Sequence, residues 1–513
     1  MEDHQRFGRI VFFGLYLGVL ALGGCSASSK FEPTGNPLLD VRNPELLDRD
    51  RVAAAERAWA EVESGVRIRN RTREAFKSLA WSRATEEPVR LTLLRLLMSD
   101  TTAEGEADSE RMARLMLPTE RSPQVVRLLA AAAVERGWTG TIPALVRSYA
   151  RVSPNVPDRD RPERAAIEAL GGGASVEELV FRVFMTPTSE AEGEVEGAVL
   201  QTAERTRDDA WTLLSRLDSD GRVRARLISQ TVPAGAEDAA QREVEMLRAS
   251  LRELGVLPRT GDELAWLRRL WQNEDAERAR QNRAWWGEVA RIVASLDDAQ
   301  LRGLELRHLE AVRWASMHRP AWLAASREML LDELAERLDG RSRYQRRAEK
   351  GQAPRPERLK AWADGMDWGD AIAVLVVDEA VRAPAFRTRL FEQVELDRAD
   401  DTTEYGGVIE SDGEGGFRPV LFRPRARDRL GDEMFVASGD MIRFSDRALA
   451  HYHMQVSEKR LSNQAGPSAG DLMYAANSGR TCVVFTSIGS GQLDADVYSP
   501  AGEVIDLGLI VSP

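Results

Sequence analysis

From about residue 52 to residue 350 the apolar positions recur at three- and four-residue spacing, the period of amphipathic helices. Pro88-Val89-Arg90 opens one such segment, followed by Leu91, Leu93, Leu94, Leu96 and Leu97. Pro123 opens a second, running into Leu128-Leu129-Ala130-Ala131-Ala132, and Pro162 a third, with Ala165, Ile167, Ala169 and Leu170. Ile142-Pro143-Ala144-Leu145 supplies a further helix between the last two. From about 235 to 350 longer helices carry Trp266, Trp271, Trp285, Trp286, Trp314 and Trp322, whose helical spacing predicts packing between helices, a ligand cage being the minor alternative. After about 366 the pattern changes. Ala371 to Val377 is a continuous apolar run, and Gly407–Ile409, Pro419–Phe422 and Thr481–Thr486 are short strand signals. Asp494–Tyr498, the turn Ser499-Pro-Ala-Gly502 and Glu503–Leu507 predict a C-terminal hairpin, and Leu472 to Ala476 a helix between strands. The fold class is therefore multidomain, an α-helical region followed by an α+β domain.

At 513 residues the chain exceeds what one core supports. The expected division is a helical region at 52–232, a Trp-rich helical region at 233–350, a linker at 351–365 and the α+β domain at 366–513. The charged stretch Arg341 to Arg358, with Gly351, Pro354 and Pro356, marks the boundary. The helix starts at Pro88, Pro123 and Pro162 lie 35 and 39 residues apart, close to the helix-pair period of HEAT-type repeats. Region 52–232 thus resembles a short HEAT-like α-solenoid, with an irregular helical array as the other reading. The net charge of −12 argues against a general nucleic-acid binder, because phosphate affinity comes from clustered Lys and Arg.

The N-terminus reads as an address. Arg6 and Arg9 precede the apolar run Ile10 to Leu22, the length of a secretory core and short of a transmembrane helix. It ends in Leu22-Gly23-Gly24-Cys25, which resembles the bacterial lipobox. That resemblance implies a signal peptide at 1–24 and a diacylglyceryl (palmitate-type) lipid on Cys25, and the segment 25–51, with Ser26, Ser28, Ser29, Pro33, Gly35, Pro37 and Pro44, reads as a tether. The resemblance also implies attachment to a membrane, with the outer membrane facing the periplasm favoured because Ser26 stands where Asp would retain the protein inside. With Cys25 acylated, Cys482 is the remaining thiol, and its apolar run makes it a small core residue.

The chemistry concentrates in five residues, Glu404, His451, His453, Ser468 and Asp471. His451 and His453 flank Tyr452 in a segment that reads as a strand, so both imidazoles project from one face and can reach one metal ion. A carboxylate from Asp471 makes a third protein ligand and leaves a position open, the arrangement of catalytic zinc sites. Each residue also has a plainer reading. The histidines can be a buried strand pair without metal, and Ser468-x-x-Asp471 ahead of Leu-Met-Tyr-Ala can be a helix N-terminus. The two readings are compatible.

In order and context these residues resemble the JAMM or MPN-domain metalloproteases. The matching parts are Glu404-Tyr405-Gly406-Gly407-Val408-Ile409, then Ala450-His451-Tyr452-His453-Met454, then Pro467-Ser468-Ala469-Gly470-Asp471-Leu472. The resemblance covers about the last quarter of the chain. Met454 replaces the family's proline, and the stretch Met454 to Pro467 is longer than the usual loop, either a lid or a surface insertion. By resemblance His451, His453 and Asp471 bind Zn²⁺, Glu404 is the general base and Ser468 hydrogen-bonds the oxyanion. The implied activity is zinc-dependent peptidase or isopeptidase hydrolysis of an amide bond in a cell-envelope substrate. The alternative is a non-catalytic envelope lipoprotein whose helices bind a protein partner and whose MPN-like domain is a scaffold.

Overall fold

The computed structural model describes residues 31–151, 156–187, 203–230, 238–348, 354–431, 434–457 and 461–513. Cys25 and the signal segment 1–24 lie outside them. The chain forms two compact units, residues 1–109 and 110–513. Among the described residues no helix is long and apolar enough to cross a membrane.

The first unit is helical. Pro37–Arg42, Asp48–Glu63, Arg69–Trp81 and Glu87–Met98 are helices, the last with a proline in its first turn. That position suits proline because the first N–H groups of a helix have no partner inside it. The core holds Ala54, Ala58, Leu93, Leu94 and Leu97, with Trp59 stacked on Phe76 at 5.9 Å. Within the segment read as a tether, residues 37–42 are folded. Asn36 caps their helix by accepting from the Leu38 N–H, and both the N–H and hydroxyl of Thr34 donate to Asp40 at 2.7 Å.

The second unit begins with helices and ends in a sheet. Pro123–Arg136, Ile142–Arg151 and Pro162–Leu170 are helical as the pattern predicts. Ala371–Val377 belongs to a helix, Trp368–Arg382, rather than to the sheet. An apolar run of that length fits either element. The residues flanking it decide for a helix, since Asp367 and Asp370 form a capping box at its start.

Six strands follow: β1 (Gly406–Ser411), β2 (Phe417–Leu421), β3 (Ala450–Gln455), β4 (Cys482–Gly489), β5 (Gln492–Tyr498) and β6 (Val504–Val511). Their order in the sheet is β2-β1-β3-β4-β5-β6. All neighbours are antiparallel except β3 and β4, which run parallel. A parallel pair cannot be closed by a tight turn. The chain makes the crossover through the helix Ala469–Ser478, which ends at Gly479 in the left-handed conformation with φ 67°. The unit is therefore a helical region joined to an α+β sheet.

The two sheet faces differ in what covers them. On one, Tyr452 and Phe485 meet edge to face at 5.9 Å, and Phe386 of the helix Pro384–Arg398 lies 6.4 Å from Phe485. The Tyr452 hydroxyl donates to Gln393 of that helix, and Gln393 donates to Pro419 O at 3.0 Å. On the other face Tyr474 and Leu472 of the crossover helix pack with Cys482, Val484, Tyr498 and Val504. The tryptophans dock helices onto this framework. Trp266 donates to Asp446 O at 2.8 Å under the Arg480 guanidinium, and Trp314 donates to Gly415 O at 2.9 Å.

The described parts of the charged stretch read as a linker, 341–348 and 354–358, lie along the sheet. Ser342 O accepts from Leu509 N at 3.1 Å, and Glu357 O accepts from Asp506 N at 2.8 Å. β6 ends the sheet, and its unpaired amides need partners. The stretch supplies two of them, and Arg341 adds hydrogen bonds to Asp378 and to Leu507 O.

Candidate functional site

Glu404, His451, His453, Ser468 and Asp471 all line one cavity of about 630 Å³. Strand geometry accounts for the first three. His451 and His453 alternate with Tyr452 on β3 and so face the cavity while Tyr452 faces the helix behind. Their cross-strand partners on β1 are Val408 and Gly406. Glu404 precedes β1 by two residues, and the Met454 N–H to Tyr405 O bond of 2.9 Å carries the ladder as far as that point. The crossover helix brings in the other two at its N-terminus.

Gly406 makes room for the site. A side chain there would collide with Tyr452 O at 2.4 Å and with the Phe435 ring at 2.5 Å. The vacated space holds Phe435, which stacks on His453 at 5.5 Å with planes 9° apart.

Both imidazoles are almost wholly buried, and burial lowers the pKa of each, that of His451 well below its ordinary value. The nearby Arg480 and Arg269 charges push His451 the same way. Both rings are therefore neutral at pH 7, the form that ligates metal. Nδ1 of His451 is 2.7 Å from Tyr474 Oη, and Nδ1 of His453 is 3.5 Å from Tyr498 Oη. The Nε2 atoms of both rings are buried without a hydrogen-bond partner. A buried polar atom left without a partner costs about 1–3 kcal/mol, so both nitrogens are free to take a partner that enters the cavity.

Asp471 serves two ends. Its Oδ2 accepts from the Ser468 N–H at 2.7 Å, closing the capping box, while Oδ1 stands 3.4 Å from His453 Nε2. Ser468 Oγ accepts from the Asp471 N–H at 3.3 Å, which leaves its own hydroxyl hydrogen free to donate. The helix-cap reading and the ligand reading of these two residues thus coexist. Two imidazoles and a carboxylate are donor types suited to zinc, but here only His453 and Asp471 approach each other closely, and the ligand atoms of His451, His453 and Asp471 do not all lie within 4.8 Å of one another.

Among the other residues lining the cavity, Tyr474, Tyr498, Phe435 and Arg346 were not singled out by the motif spacing. Tyr474 follows Asp471 by three positions on the helix, and that interval places both on one side. Tyr498, Phe435 and Arg346 come from distant segments and carried no sequence signal. Burial lowers the Arg346 pKa, and the charges of Asp471 and Glu404 oppose that shift. Cys482 also lines the cavity, but burial and the Asp471 charge push its thiol pKa up, consistent with a small packing residue. The described part of Met454 to Pro467 forms a wall through Ser457, Leu461 and Gln464, held to β4 by the Leu461 N–H to Ser487 O bond of 2.7 Å.

No protein-family model, curated protein or solved structure matches the chain.

Proposed function

We propose that this protein is a zinc-dependent amide hydrolase, with His451, His453 and Asp471 as the metal-binding residues and an MPN-like α+β domain as their frame. One observation carries the reading: two buried, neutral imidazoles present Nε2 atoms without hydrogen-bond partners to one cavity, which the Asp471 carboxylate enters beside His453. Bound there, Zn²⁺ would supply Lewis acidity to polarise a scissile carbonyl.

The chain's own groups account for the remaining steps. Glu404 removes a proton from the attacking water, and the water oxygen adds to the carbonyl carbon. Ser468 donates its free hydroxyl hydrogen to the oxygen that gains charge. As the C–N bond breaks, Glu404 returns its proton to the leaving nitrogen, giving a carboxylic acid and an amine. Exposed Met434 and Met473 line the cavity and offer an apolar rim to a peptide side chain. By the lipobox resemblance the protein works tethered to a membrane through Cys25, on a peptide or isopeptide of the cell envelope.

The test is elemental analysis of protein purified without chelators, joined to hydrolysis of a panel of peptides linked through lysine ε-amines. The expected results are about one zinc per chain, its loss in His451→Ala, and a turnover about 10²–10⁴-fold lower in Glu404→Gln with zinc retained. Wild-type protein free of zinc would overturn the reading.

A further inference from the structure

The cavity shares its sheet face with a second cluster, made only of carboxylates. Asp494 and Asp496 lie on β5 and Asp506 on β6, all three buried, with one ligand-capable oxygen from each within 4.8 Å of the others. A bulge sets this up. Asp494 pairs with Leu509 and Ala495 with Gly508, but Asp496 then pairs with Asp506, so Leu507 is the extra residue. Without it Leu507 would stand opposite Asp496, and Asp506 would face the far side. Gly508 takes the positive φ of 79° that the bulge requires, and its N–H donates to Asp506 Oδ1 at 2.6 Å.

Both oxygens of Asp496 are buried without hydrogen-bond partners, and for Asp494 the Tyr344 backbone N–H is the one donor that approaches. An independent residue points at the same spot. Glu357 comes from the stretch along β6, is 6% exposed, and has an Oε2 that is also without a partner. The place where a Gly466 side chain would start is 2.9 Å from Glu357 Oε1 and 3.8 Å from Asp496 Cγ, so the two carboxylates close on one small space. Burial raises the Asp494 pKa to about 8 and the Glu357 pKa to about 7, with the Asp506 charge adding to both. The Arg343 and Arg346 charges offset part of this repulsion, and protons or a bound cation must neutralise the rest.

We propose that Asp494, Asp496, Asp506 and Glu357 form a binding site for a hard divalent cation of the calcium class, separate from the histidine cavity. The donors are all oxygen, which selects against zinc and for calcium-type ions. One oxygen from each aspartate lies within 4.8 Å of the others, close enough to share one ion, and carboxylates drawn from two strands and a flanking stretch suit the flexible coordination of calcium better than the strict octahedron of magnesium. The cation joins β5, β6 and the 342–357 stretch at one point. Gly466, against which the cluster closes, lies two residues before Ser468, so loading also fixes the segment that leads into the crossover helix. Arg346 stands between the two sites, feeling Asp471 and Glu404 on one side and Glu357 and Asp496 on the other.

The test is equilibrium dialysis with Ca²⁺ at pH 7.5 on purified protein stripped with EGTA, together with its thermal midpoint with and without Ca²⁺. One Ca²⁺ per chain and a midpoint rise of about 3 °C or more are expected in wild type. His451→Ala should keep both, which separates this site from the zinc reading. Asp496→Asn should lose both, and its Ca²⁺-free midpoint should equal or exceed that of stripped wild type because one buried repulsion is gone. If Asp496→Asn does not fold, Glu357→Gln takes its place with the same expected loss. Wild type that neither binds Ca²⁺ nor shifts its midpoint overturns the proposal, as does unchanged binding in the carboxylate variants or a response to Mg²⁺ alone.

Discussion

Tyr474 Oη stands 2.7 Å from Nδ1 of His451, within hydrogen-bond reach of the ring nitrogen that points away from the cavity. With Nδ1 protonated and donating to Tyr474, the Nε2 lone pair is left for a metal. Tyr474→Phe keeps the ring that packs on Cys482 and removes only the oxygen. The expected result is a metal affinity about 10–100-fold lower with little change in thermal midpoint, measured by competition with a zinc chelator. A drop in midpoint without a change in affinity would show that Tyr474 only packs.

Asp471 couples the site to the fold, because one carboxylate closes the helix cap and faces His453. Asp471→Asn retains an oxygen for the Ser468 N–H and loses the charge. It should abolish zinc binding while costing little stability. Asp471→Ala should lose zinc and also about 1 kcal/mol from the missing cap, read as a lower urea midpoint. Equal stability in the two variants would mean that the cap contributes nothing.

The strands, the crossover helix and the five motif residues were legible because each rests on local spacing. The alternation in His451-Tyr452-His453 fixes a face, and Ser468-x-x-Asp471 fixes a helix start. Helix Trp368–Arg382 was hidden by its own burial. It packs with apolar residues on every side, so the run Ala371–Val377 shows no helical period. The role of Arg341–Arg358 was hidden by composition. Charge and proline suggest a free linker, whereas the edge of β6, formed some 150 residues later, gives the Ser342 and Glu357 carbonyls their partners. The carboxylate cluster depends on a one-residue bulge, and nothing in Asp494-Ala-Asp496 announces that Asp506 will turn to meet it. Pairings between distant segments carry these features, and a one-dimensional pattern does not record them.

Cys25 is expected to carry the membrane attachment. In the native host Cys25→Ser should accumulate as an uncleaved or mislocalised precursor, since the thiol is the proposed acylation site and lipid chains supply the membrane affinity. Cell fractionation with gel mobility reads the outcome. Protein of normal processed size that stays firmly in the membrane fraction would mean that another anchor operates.

The carboxylate cluster gives the stripped protein a pH dependence opposite in sign to that of a salt-bridged acid. The folded-state pKa values of Asp494, near 8, and Glu357, near 7, lie above the ordinary carboxylate range near 4. From about pH 5 to 8 the folded chain therefore holds protons that the unfolded chain has already released. Stability falls as pH rises through that window. His451 and His453 act in the other direction, but their unfolded forms are mostly neutral above pH 6.5, so the interval from pH 6.8 to 8.5 isolates the acids. Buried Glu263, raised to about 7 by burial and the Glu305 charge, contributes with the same sign. It is common to wild type and variant, so comparison with Asp496→Asn cancels it. Over that interval the urea midpoint of EGTA-treated wild type should fall. Asp496→Asn should fall less, and saturating Ca²⁺ should flatten the wild-type curve, because the cation replaces the protons. A wild-type midpoint that holds or rises toward pH 8.5 in EGTA would mean that the carboxylates keep their charge by some other pairing.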